Sequence, residues 1–254
     1  MARVAIVTGS DSGIGKATAV ELARAGHDVG ITWHTDEQGA EATAAEVRAL
    51  NRRAEVRKLD LTKLPEAANV VDELADELGS LDVLVNNAKL GKAAPFVELS
   101  WGDWRETMAV DLDGPFLCAQ RAARRMVKQG RGGRIINVTS VHEHVPLPHS
   151  SAYTSAKHGL GGLTKQIALE LAEHAITANA VAPGEIATPM TGNDDVDPRT
   201  VERPSIPLGR PGDAREIASL IVWLASDAAA YATGASFVVD GGLTLTAAVR
   251  NDSE

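Results

Sequence analysis

The sequence predicts an α/β protein with a doubly wound parallel sheet of about seven strands and helices on both faces. Short apolar runs alternate along the chain with longer stretches in which Ala, Leu, Glu and Arg recur at helical spacing. This alternation indicates strand-helix-strand units, whose consecutive strands lie parallel. The runs are nearly all apolar, as expected for strands that are covered on both faces. The predicted strands are 4–7, 29–33, 54–59, 81–85, 134–138, 176–181 and 236–239, and the predicted helices are 17–25, 41–50, 65–78, 104–128, 153–173 and 214–225.

The composition is that of an ordinary globular protein. Its 254 residues are 44% apolar and 23% charged, and no linker or shift in composition divides them, so we expect one domain over residues 1–254. Lys and Arg number 25 against 34 Asp and Glu, which gives a net charge of −9. Because affinity for phosphate backbones comes mainly from clustered Lys and Arg, this balance disfavours nucleic acid as a partner.

The cysteine content and the length of the apolar runs bear on the compartment. Cys118 is the only Cys, so the chain can form neither an internal disulfide nor a cysteine-based metal cluster, and a reducing, cytoplasmic setting is the simpler interpretation. No segment approaches about 18 uninterrupted apolar residues, the length that a membrane-spanning helix needs. We therefore expect no membrane partner.

One long segment lacks both helical and strand periodicity. It extends from Pro183 to Pro211 and is rich in Gly, Pro, Asn and Asp. A segment of this length in a compact domain is usually a binding loop or a lid. We expect residues 184–211 to close over a substrate.

A glycine-rich turn follows the first predicted strand directly. Residues 8–16 read TGSDSGIGK and lead into the first predicted helix. Glycines leave no Cβ between the backbone and an approaching pyrophosphate, and the helix N-terminus offers unpaired N–H groups and the positive end of its dipole. The motif indicates a dinucleotide site, with a ligand-free turn as the alternative, and it lacks the Gly-Lys-Ser/Thr ending of a P-loop. The expected contacts are Gly9, Ser12, Gly13, Ile14 and Gly15.

The ends of the second and third predicted strands bear on which dinucleotide is bound. A carboxylate at the end of the second strand would bind the adenosine ribose and repel a 2′-phosphate. This chain has no carboxylate there before Asp36, which favours NADP(H) and leaves NAD(H) possible if Asp36 folds back. His34 and Thr35 are the candidate phosphate contacts. Asp60, after the third strand, can accept from an adenine amino group or be a turn or capping residue.

A phenol and an ammonium lie four residues apart at Tyr153 and Lys157, and hence on one face of a helix. A phenol has a pKa near 10, and a neighbouring cation moves that pKa toward the working pH. A surface Tyr/Lys pair is the alternative. Ser140 favours the catalytic interpretation, because it follows the fifth strand on the side where open parallel sheets bind ligands. Its hydroxyl can donate to a carbonyl oxygen to which Tyr153 supplies a proton.

In this order and spacing, these features resemble the short-chain dehydrogenase/reductase family over nearly the whole chain. The resemblance implies a single Rossmann domain, hydride transfer at a nicotinamide ring and a homotetrameric assembly. Within the family, the chain is most similar in appearance to bacterial glucose dehydrogenases and to reductases of small ketones of the diacetyl or acetoin type. The matching motifs are Thr8-Gly9 to Gly15, Asp60, Asn86-Asn87-Ala88, Ser140, Tyr153 with Lys157, Pro183-Gly184, Thr188-Pro189 and Asp240-Gly241-Gly242.

The resemblance also implies roles for the matching residues. Tyr153 would be the general acid and base, Lys157 would hold the nicotinamide ribose and lower the tyrosine pKa, and Ser140 would orient the substrate oxygen. Asn87 would lie beside the adenosine ribose. The other implied cofactor contacts are Leu61, Ala88, Pro183 and Gly184, with Ile186 and Thr188 at the nicotinamide carboxamide.

Two positions depart from the family pattern. Where most members have a Gly after Asn-Asn-Ala, this chain has Lys89, whose side chain reaches into the cleft or turns to solvent, and we expect the latter. Where most members have a catalytic Asn, this chain has Asp111. We expect Asp111 to belong to the proton path through Lys157, because a carboxylate supplies acceptors for a relay water and is stabilised in its charged form by a nearby cation.

Two histidines follow Ser140 closely. They are His142 and His144, with Glu143 between them, but no third ligand stands at a recognisable spacing, so we expect no metal. We expect Ser140, His142, His144 and Glu185 to line the substrate cleft.

Together these features predict an NADP(H)-preferring oxidoreductase that interconverts a small or medium ketone and a secondary alcohol. One alternative is a non-catalytic nucleotide-binding regulator, which would have no need of the complete set of Ser140, Tyr153 and Lys157. Another is an isomerase or dehydratase of the same fold, which usually carries a longer carboxyl-terminal substrate region.

Overall fold

The structure is a computed structural model that describes residues 2–188 and 197–246. Its centre is a sheet of seven parallel strands in the order β3-β2-β1-β4-β5-β6-β9, and two further short strands form a separate pair. The strands are β1 (Val4–Val7), β2 (Asp28–Trp33), β3 (Ala54–Lys58), β4 (Val83–Asn86), β5 (Gly133–Val138), β6 (Ile176–Pro183), β7 (Ile186–Ala187), β8 (Gly212–Asp213) and β9 (Ser236–Val239).

Helices cover both faces of the central sheet. The first, second and seventh pack on one face, and the third, fifth and sixth pack on the other. A π-helical turn, Ala109–Asp113, joins the fourth helix to the fifth. The helices are α1 (Gly13–Arg24), α2 (Glu37–Ala49), α3 (Val70–Leu78), α4 (Trp101–Met108), α5 (Gly114–Gln129), α6 (Ser151–Leu171) and α7 (Ala214–Ala225).

The strands supply two separate cores because successive side chains point to opposite faces of a sheet. In β1, Ala5 and Val7 pack toward α1 and α2, whereas Ile6 between them packs toward α3 and α5. The same division holds in β4, where Val85 and Leu84 lie in different cores. A strand that is apolar at every position is therefore the natural sequence here.

The strand order reverses between β1 and β4, since β2 and β3 lie on one side of β1 and β5, β6 and β9 lie beyond β4. At such a reversal the connections leave in opposite directions and open a crevice at the carboxyl ends of the strands. This doubly wound, Rossmann-like α/β fold with a seven-stranded parallel sheet confirms the predicted fold class.

Three local features differ from the predicted elements. The helix predicted at 104–128 begins at Trp101 and is interrupted by the π-helical turn, which carries Asp111. The second helix begins at Glu37 rather than at residue 41. The expectation of nearly apolar strands is wrong for β3, which carries Glu55, Arg57 and Lys58 because it lies at the edge of the sheet and is incompletely covered.

The described parts of the segment 184–211 fold against the carboxyl ends of β6 and β9. Strand β7 pairs with β8 through Ile186 and Ala187, and the Gly184 N–H donates to Val239 O over 3.0 Å. Residues 189–196, including Pro189 of the Thr188-Pro189 motif, lie outside the described residues. Among the helices of the described chain, none is long and apolar enough to cross a membrane.

Candidate active site

A cleft opens along the carboxyl ends of the central strands, at the reversal of strand order. Its walls come from the turns after β1, β4 and β5, from the start of α6 and from the segment after β6. A crevice at this place is where open α/β sheets bind their ligands. The predicted site residues that line it are Gly9, Ser12, Gly13, Ile14, His34, Asp60, Leu61, Asn87, Ala88, Ser140, Tyr153, Pro183, Gly184, Glu185, Ile186 and Thr188.

Two glycines in the turn after β1 take left-handed backbone conformations. Gly9 has a φ of +61° and Gly13 has a φ of +52°, values that residues with side chains rarely adopt. Gly15 is needed for space, because a Cβ there would overlap the carbonyl oxygen of Gly9. Gly15 therefore lies behind the cleft wall and lets helix α1 approach the turn.

The start of helix α1 is available to a ligand. Among the described contacts, Ser12 at the N-cap makes no side-chain capping hydrogen bond, and Ser12, Gly13 and Ile14 line the cleft. Unpaired N–H groups and the helix dipole favour a phosphate. A turn with no Cβ at its close approach, leading into such a helix end, fits the pyrophosphate of a dinucleotide.

Asn87 and Thr8 hold the glycine turn against the end of β4. The Asn87 amide donates to the carbonyl oxygens of Thr8 and Gly9, over 3.0 and 2.8 Å. The Thr8 hydroxyl accepts from the backbone N–H groups of Asn87 and Ala88. These bonds span two strands and fix the floor of the cleft.

At the other side of this turn, the ends of β2 and β3 come together. The Asp60 carboxylate accepts from the N–H and hydroxyl of Thr62 and lies 3.5 Å from His34 Nε2. The Thr62 hydroxyl bond contributes most to lowering the pKa of Asp60. Asp60 thus makes the turn contacts that one interpretation predicted, and it also lines the cleft beside His34.

The carboxylate of Asp36 is used at the start of α2. It caps that helix by accepting from the Gly39 N–H over 2.9 Å, and it does not line the cleft. Thr35 is exposed and lies outside the cleft lining as well. Burial raises the pKa of Asp11, which lies in the glycine turn. The charge of Asp36 raises this pKa further, and His34 opposes the effect.

The catalytic candidates come from β5 and α6. Ser140 follows β5, is buried and accepts the His142 N–H at its hydroxyl over 3.2 Å. Tyr153 and Lys157 lie one turn apart on α6, with Lys157 Nζ 5.4 Å from the centre of the Tyr153 ring. Ser140 and Tyr153 line the cleft, and Lys157 lies just behind it.

A buried ion pair lies behind the tyrosine. Lys157 Nζ is 3.3 Å from Asp111 Oδ1 and donates to Val138 O over 3.4 Å, and both charged side chains are almost fully buried. Burial by itself lowers the pKa of Lys157, but the charges of Asp111 and Tyr153 outweigh it, so this pKa is raised. The ammonium is thus held in its charged form.

Burial has the larger effect on the carboxylate of the same pair. It raises the pKa of Asp111 above its ordinary value, although Lys157 and the Leu90 N–H favour the ionised form. The Leu90 N–H lies 3.2 Å from Oδ1 and 3.3 Å from Oδ2. Lys157 favours the charged form of Asp111, as expected, but desolvation outweighs this attraction.

Lys89 lies in the cleft as well. Lys89 is solvent-exposed, as expected, and it also lines the cleft. Desolvation and the charge of Lys157 lower the pKa of Lys89, and Asp111 opposes this effect. Lys89 is thus a second cation at the end of the cleft that contains Tyr153.

The two histidines after Ser140 do not line the cleft. The His142 ring packs edge-on against Tyr153, with ring centres 6.2 Å apart, and its Nδ1 is 3.0 Å from Val145 O. His144 faces away, with Nε2 3.0 Å from Ser236 Oγ. In residues 2–188 and 197–246, no group of three His, Cys, Asp or Glu side chains could hold a metal ion.

The structure shows supporting residues that the sequence pattern missed. Buried Glu143 accepts from Thr139 Oγ1 over 2.7 Å and from Ser236 Oγ over 3.0 Å, which ties the Ser140 turn to β9. In the sequence, the available signal for the place of Glu143 was Gly161 on α6, because a Cβ at that position would collide with the Glu143 carboxylate. Asp240 similarly turns the chain beside Gly184, and its bonds to Thr244 and Gly242 keep its pKa low despite burial.

Comparison with known proteins agrees with this arrangement. A family model described as Enoyl-(Acyl carrier protein) reductase matches residues 9–244. The oxidoreductase YohF of Escherichia coli is 60% identical over 245 residues, which are 96% of this chain and 97% of that protein. The structure of an acetoin dehydrogenase from Enterobacter cloacae has a TM-score of 0.93 and 56% identity, and the match covers 100% of this chain and 99% of that one.

A more distant relative matches over a similar length. Glucose 1-dehydrogenase 2 of Bacillus subtilis is 36% identical over 247 residues, which are 96% of this chain and 95% of that protein. The chain belongs to the short-chain dehydrogenase/reductase family and is an oxidoreductase of that family. The predicted resemblance to acetoin and glucose dehydrogenases is confirmed.

Proposed function

We propose that this protein is an NADP(H)-preferring reductase that interconverts small or medium ketones and secondary alcohols. The observation that carries the proposal is the assembly of the Ser140 hydroxyl, the Tyr153 phenol and the buried Lys157 ammonium at one end of a cleft whose other end is a glycine turn. Reduction of a carbonyl group needs a hydrogen-bond donor and a proton donor at its oxygen, and a positive charge that stabilises the proton donor after it has lost its proton. These three side chains supply them.

In the reducing direction, Tyr153 donates its phenolic proton to the carbonyl oxygen, and the Ser140 hydroxyl donates a hydrogen bond to the same oxygen. The nicotinamide, when bound, supplies the hydride for reduction and accepts it in oxidation. Lys157 stabilises the phenolate that remains on Tyr153, because its ammonium lies 5.4 Å from the ring centre. In the oxidising direction, the phenolate accepts the alcohol proton.

The proton that Tyr153 gives up has to be replaced from solvent. Lys157 Nζ lies 3.3 Å from Asp111 Oδ1, and Asp111 stands on the π-helical turn between α4 and α5. Such turns occur often at functional sites, where they displace one residue from the regular helix. We assign Lys157 and Asp111 to the proton path behind the tyrosine.

Residues at the glycine turn would hold the cofactor. The N–H groups at the start of α1 would bind the pyrophosphate, and Asp60 and His34 would face the adenosine part. The preference for NADP(H) is supported by Asp36, since its carboxylate caps α2 and is not part of the cleft lining. His34 stands at the end of β2 where a carboxylate would repel a 2′-phosphate.

The substrate class is supported by the name acetoin dehydrogenase, which one of the solved relatives carries, because acetoin is a small hydroxyketone. The test is to measure oxidation of NADPH and NADH with a panel of small ketones, diketones, sugars and one enoyl thioester. We expect NADPH oxidation with small ketones, and none in the Tyr153→Phe variant. Turnover of the enoyl thioester alone would contradict the ketone assignment. Protein that is folded and binds the cofactor but turns over none of these substrates would favour the non-catalytic regulator.

We also propose that the protein forms a homotetramer in a reducing, cytoplasmic setting. Exposed apolar side chains on α5, α6 and β9 support the assembly, namely Phe116, Leu169 and Val238, since such surfaces pair across two-fold axes. Cys118 is a buried free thiol whose pKa is raised to about 12 by burial, which suits a structural rather than a redox role. Light scattering should give about four times the chain mass of 26.6 kDa, and a value near 26.6 kDa at micromolar concentration would contradict the tetramer.

A further inference from the structure

Lys89 is a cation at the substrate end of the cleft whose charge the proposed reaction does not use. It lines the cleft together with Ser140 and Tyr153. Its backbone position is fixed, because the neighbouring Leu90 N–H donates to both oxygens of the buried Asp111 carboxylate. The Lys89 side chain thus begins next to the proposed proton path.

The other charges around this end of the cleft are already paired. Glu106 lines the cleft, and its carboxylate binds Lys92, which also binds Asp103. Glu185 accepts from Arg203 Nε over 2.6 Å. Asp111 is bound to Lys157. Its negative charge also acts on Lys89, which lies nearby.

Within the described residues, Lys89 forms neither an ion pair nor a side-chain hydrogen bond. Lys157 pairs with the Asp111 carboxylate, and Lys89 is left as a cation in the cleft lining with no carboxylate of the described residues bound to it. An ammonium in the lining of a cleft attracts an anion that binds there, and salt weakens this attraction. A neutral ketone would leave the Lys89 ammonium without a partner.

We propose that Lys89 binds a carboxylate of the substrate, so that the preferred substrates are oxo acids rather than neutral ketones. The inference rests on the proposed ketone reductase function and names its substrate class. Lys89 is then a specificity-determining residue, which binds the charged end of the substrate while Ser140 and Tyr153 bind the carbonyl oxygen. It acts on ground-state and transition-state binding alike, so its loss should raise KM more than it lowers kcat.

The test compares each oxo acid with its own methyl ester, which has the same ketone but no charge. We would measure kcat/KM with 3-oxobutanoate, 4-oxopentanoate and their methyl esters, in the parent enzyme and in Lys89→Met, which keeps the length of the side chain. For at least one of these pairs, we expect the parent to prefer the acid by about tenfold or more, and we expect Lys89→Met to lose this preference through KM. Lys89→Arg keeps the charge and should keep the preference for the acid.

Lys128→Met is the matched control for net charge, since Lys128 is an exposed lysine on α5 that does not line the cleft. It should leave the ratio of acid to ester unchanged. Raising the salt concentration should reduce the ratio in the parent and leave it unchanged in Lys89→Met. The same ratio in the parent and in Lys89→Met would overturn the proposal.

Dissociation constants for NADPH, measured by fluorescence without substrate, show whether Lys89 binds the cofactor instead of the substrate. They should be the same in the parent and in Lys89→Met. A weaker NADPH affinity in Lys89→Met with an unchanged acid-to-ester ratio would mean that the ammonium binds a cofactor phosphate, which also overturns the proposal. If the folded parent binds NADPH but reduces neither acids nor esters, the ketone reductase function itself fails, whereas reduction of esters and acids alike contradicts only the role of Lys89.

Discussion

The two ends of the cleft differ in the kind of group that they would offer to a ligand. At the nucleotide end, the contacts come from backbone groups, made accessible by Gly9, Gly13 and Gly15 and held by hydrogen bonds from Asn87. At the chemical end, the contacts come from ionisable side chains, with the Lys157 and Asp111 pair buried behind Tyr153.

The difference determines which changes each end can tolerate. Space is limiting at the nucleotide end, where a Cβ on Gly15 would overlap the Gly9 carbonyl oxygen. Charge balance is limiting at the chemical end, because an uncompensated buried charge is costly. Loss of the cation of the buried pair should therefore cost more than a change of charge at the exposed His34 of the nucleotide end.

The largest effect is expected for Tyr153→Phe, which removes the acid and keeps the ring. Loss of a positioned general acid typically costs about 10²- to 10⁴-fold in rate, so kcat should fall within or beyond this range. The NADPH dissociation constant should stay nearly unchanged, because the glycine turn is intact. Steady-state kinetics and fluorescence titration measure the two quantities, and activity within about tenfold of the parent would show that Tyr153 is not the acid.

Lys157→Met should destabilise the fold, because it leaves the Asp111 carboxylate buried without its bound cation. Removing one member of a buried pair typically costs about 3–5 kcal/mol, and we expect a decrease of this size in the free energy of unfolding at pH 8. The pKa of Asp111 is already raised by burial and should rise further in the variant. As the pH falls through that raised pKa, Asp111 becomes protonated and the unpaired charge disappears.

The loss of stability should therefore be smaller at pH 5 than at pH 8, as measured by urea unfolding at both values. The double variant Lys157→Met/Asp111→Asn is the control, because it has no buried charge to relieve and should show little dependence on pH. An equal loss for Lys157→Met at the two pH values would mean that Asp111 is not charged when Lys157 is absent.

A smaller effect is expected at the nucleotide end for His34→Asp. His34 lines the cleft where the 2′-phosphate would lie, and a carboxylate there repels this phosphate. The affinity for NADPH relative to NADH should fall by about tenfold, which corresponds to roughly 1.4 kcal/mol. Fluorescence titration with both cofactors measures the ratio, and His34→Asn controls for the loss of the ring. Equal dissociation constants for the two cofactors in the parent would contradict the NADP(H) preference.

The smallest change in maximal rate is expected for Asp111→Asn, which keeps an acceptor for the Leu90 N–H. This substitution removes a carboxyl group whose pKa is raised by burial. The rate on the acid side should then depend less steeply on pH, because one group that loses its proton as the pH rises is missing. Rates from about pH 5 to 10 measure both profiles, a range that includes shifted carboxyl and phenol groups. Superimposable profiles would remove Asp111 from the proton path.

Local patterns in the sequence were sufficient to predict the fold and the two ends of the cleft. Strand and helix periodicity depend on neighbouring residues, and the parallel direction of the strands follows from their alternation with helices. The glycines of residues 9–15 and the spacing of Tyr153 and Lys157 are local signals of the same kind. The pattern also placed Ser140 after β5, and in the structure Ser140 and Tyr153 line the same cleft.

Only the tertiary structure decided how groups distant in the sequence are paired. The contact between Asp111 and Lys157 depends on how the π-helical turn packs against α6, and no spacing in the sequence reports this packing. The directions of Lys89 into the cleft and of His144 toward Ser236 depend on loops after different strands. Burial then sets the charge of each group, because the cost of removing it from water depends on every element that surrounds it.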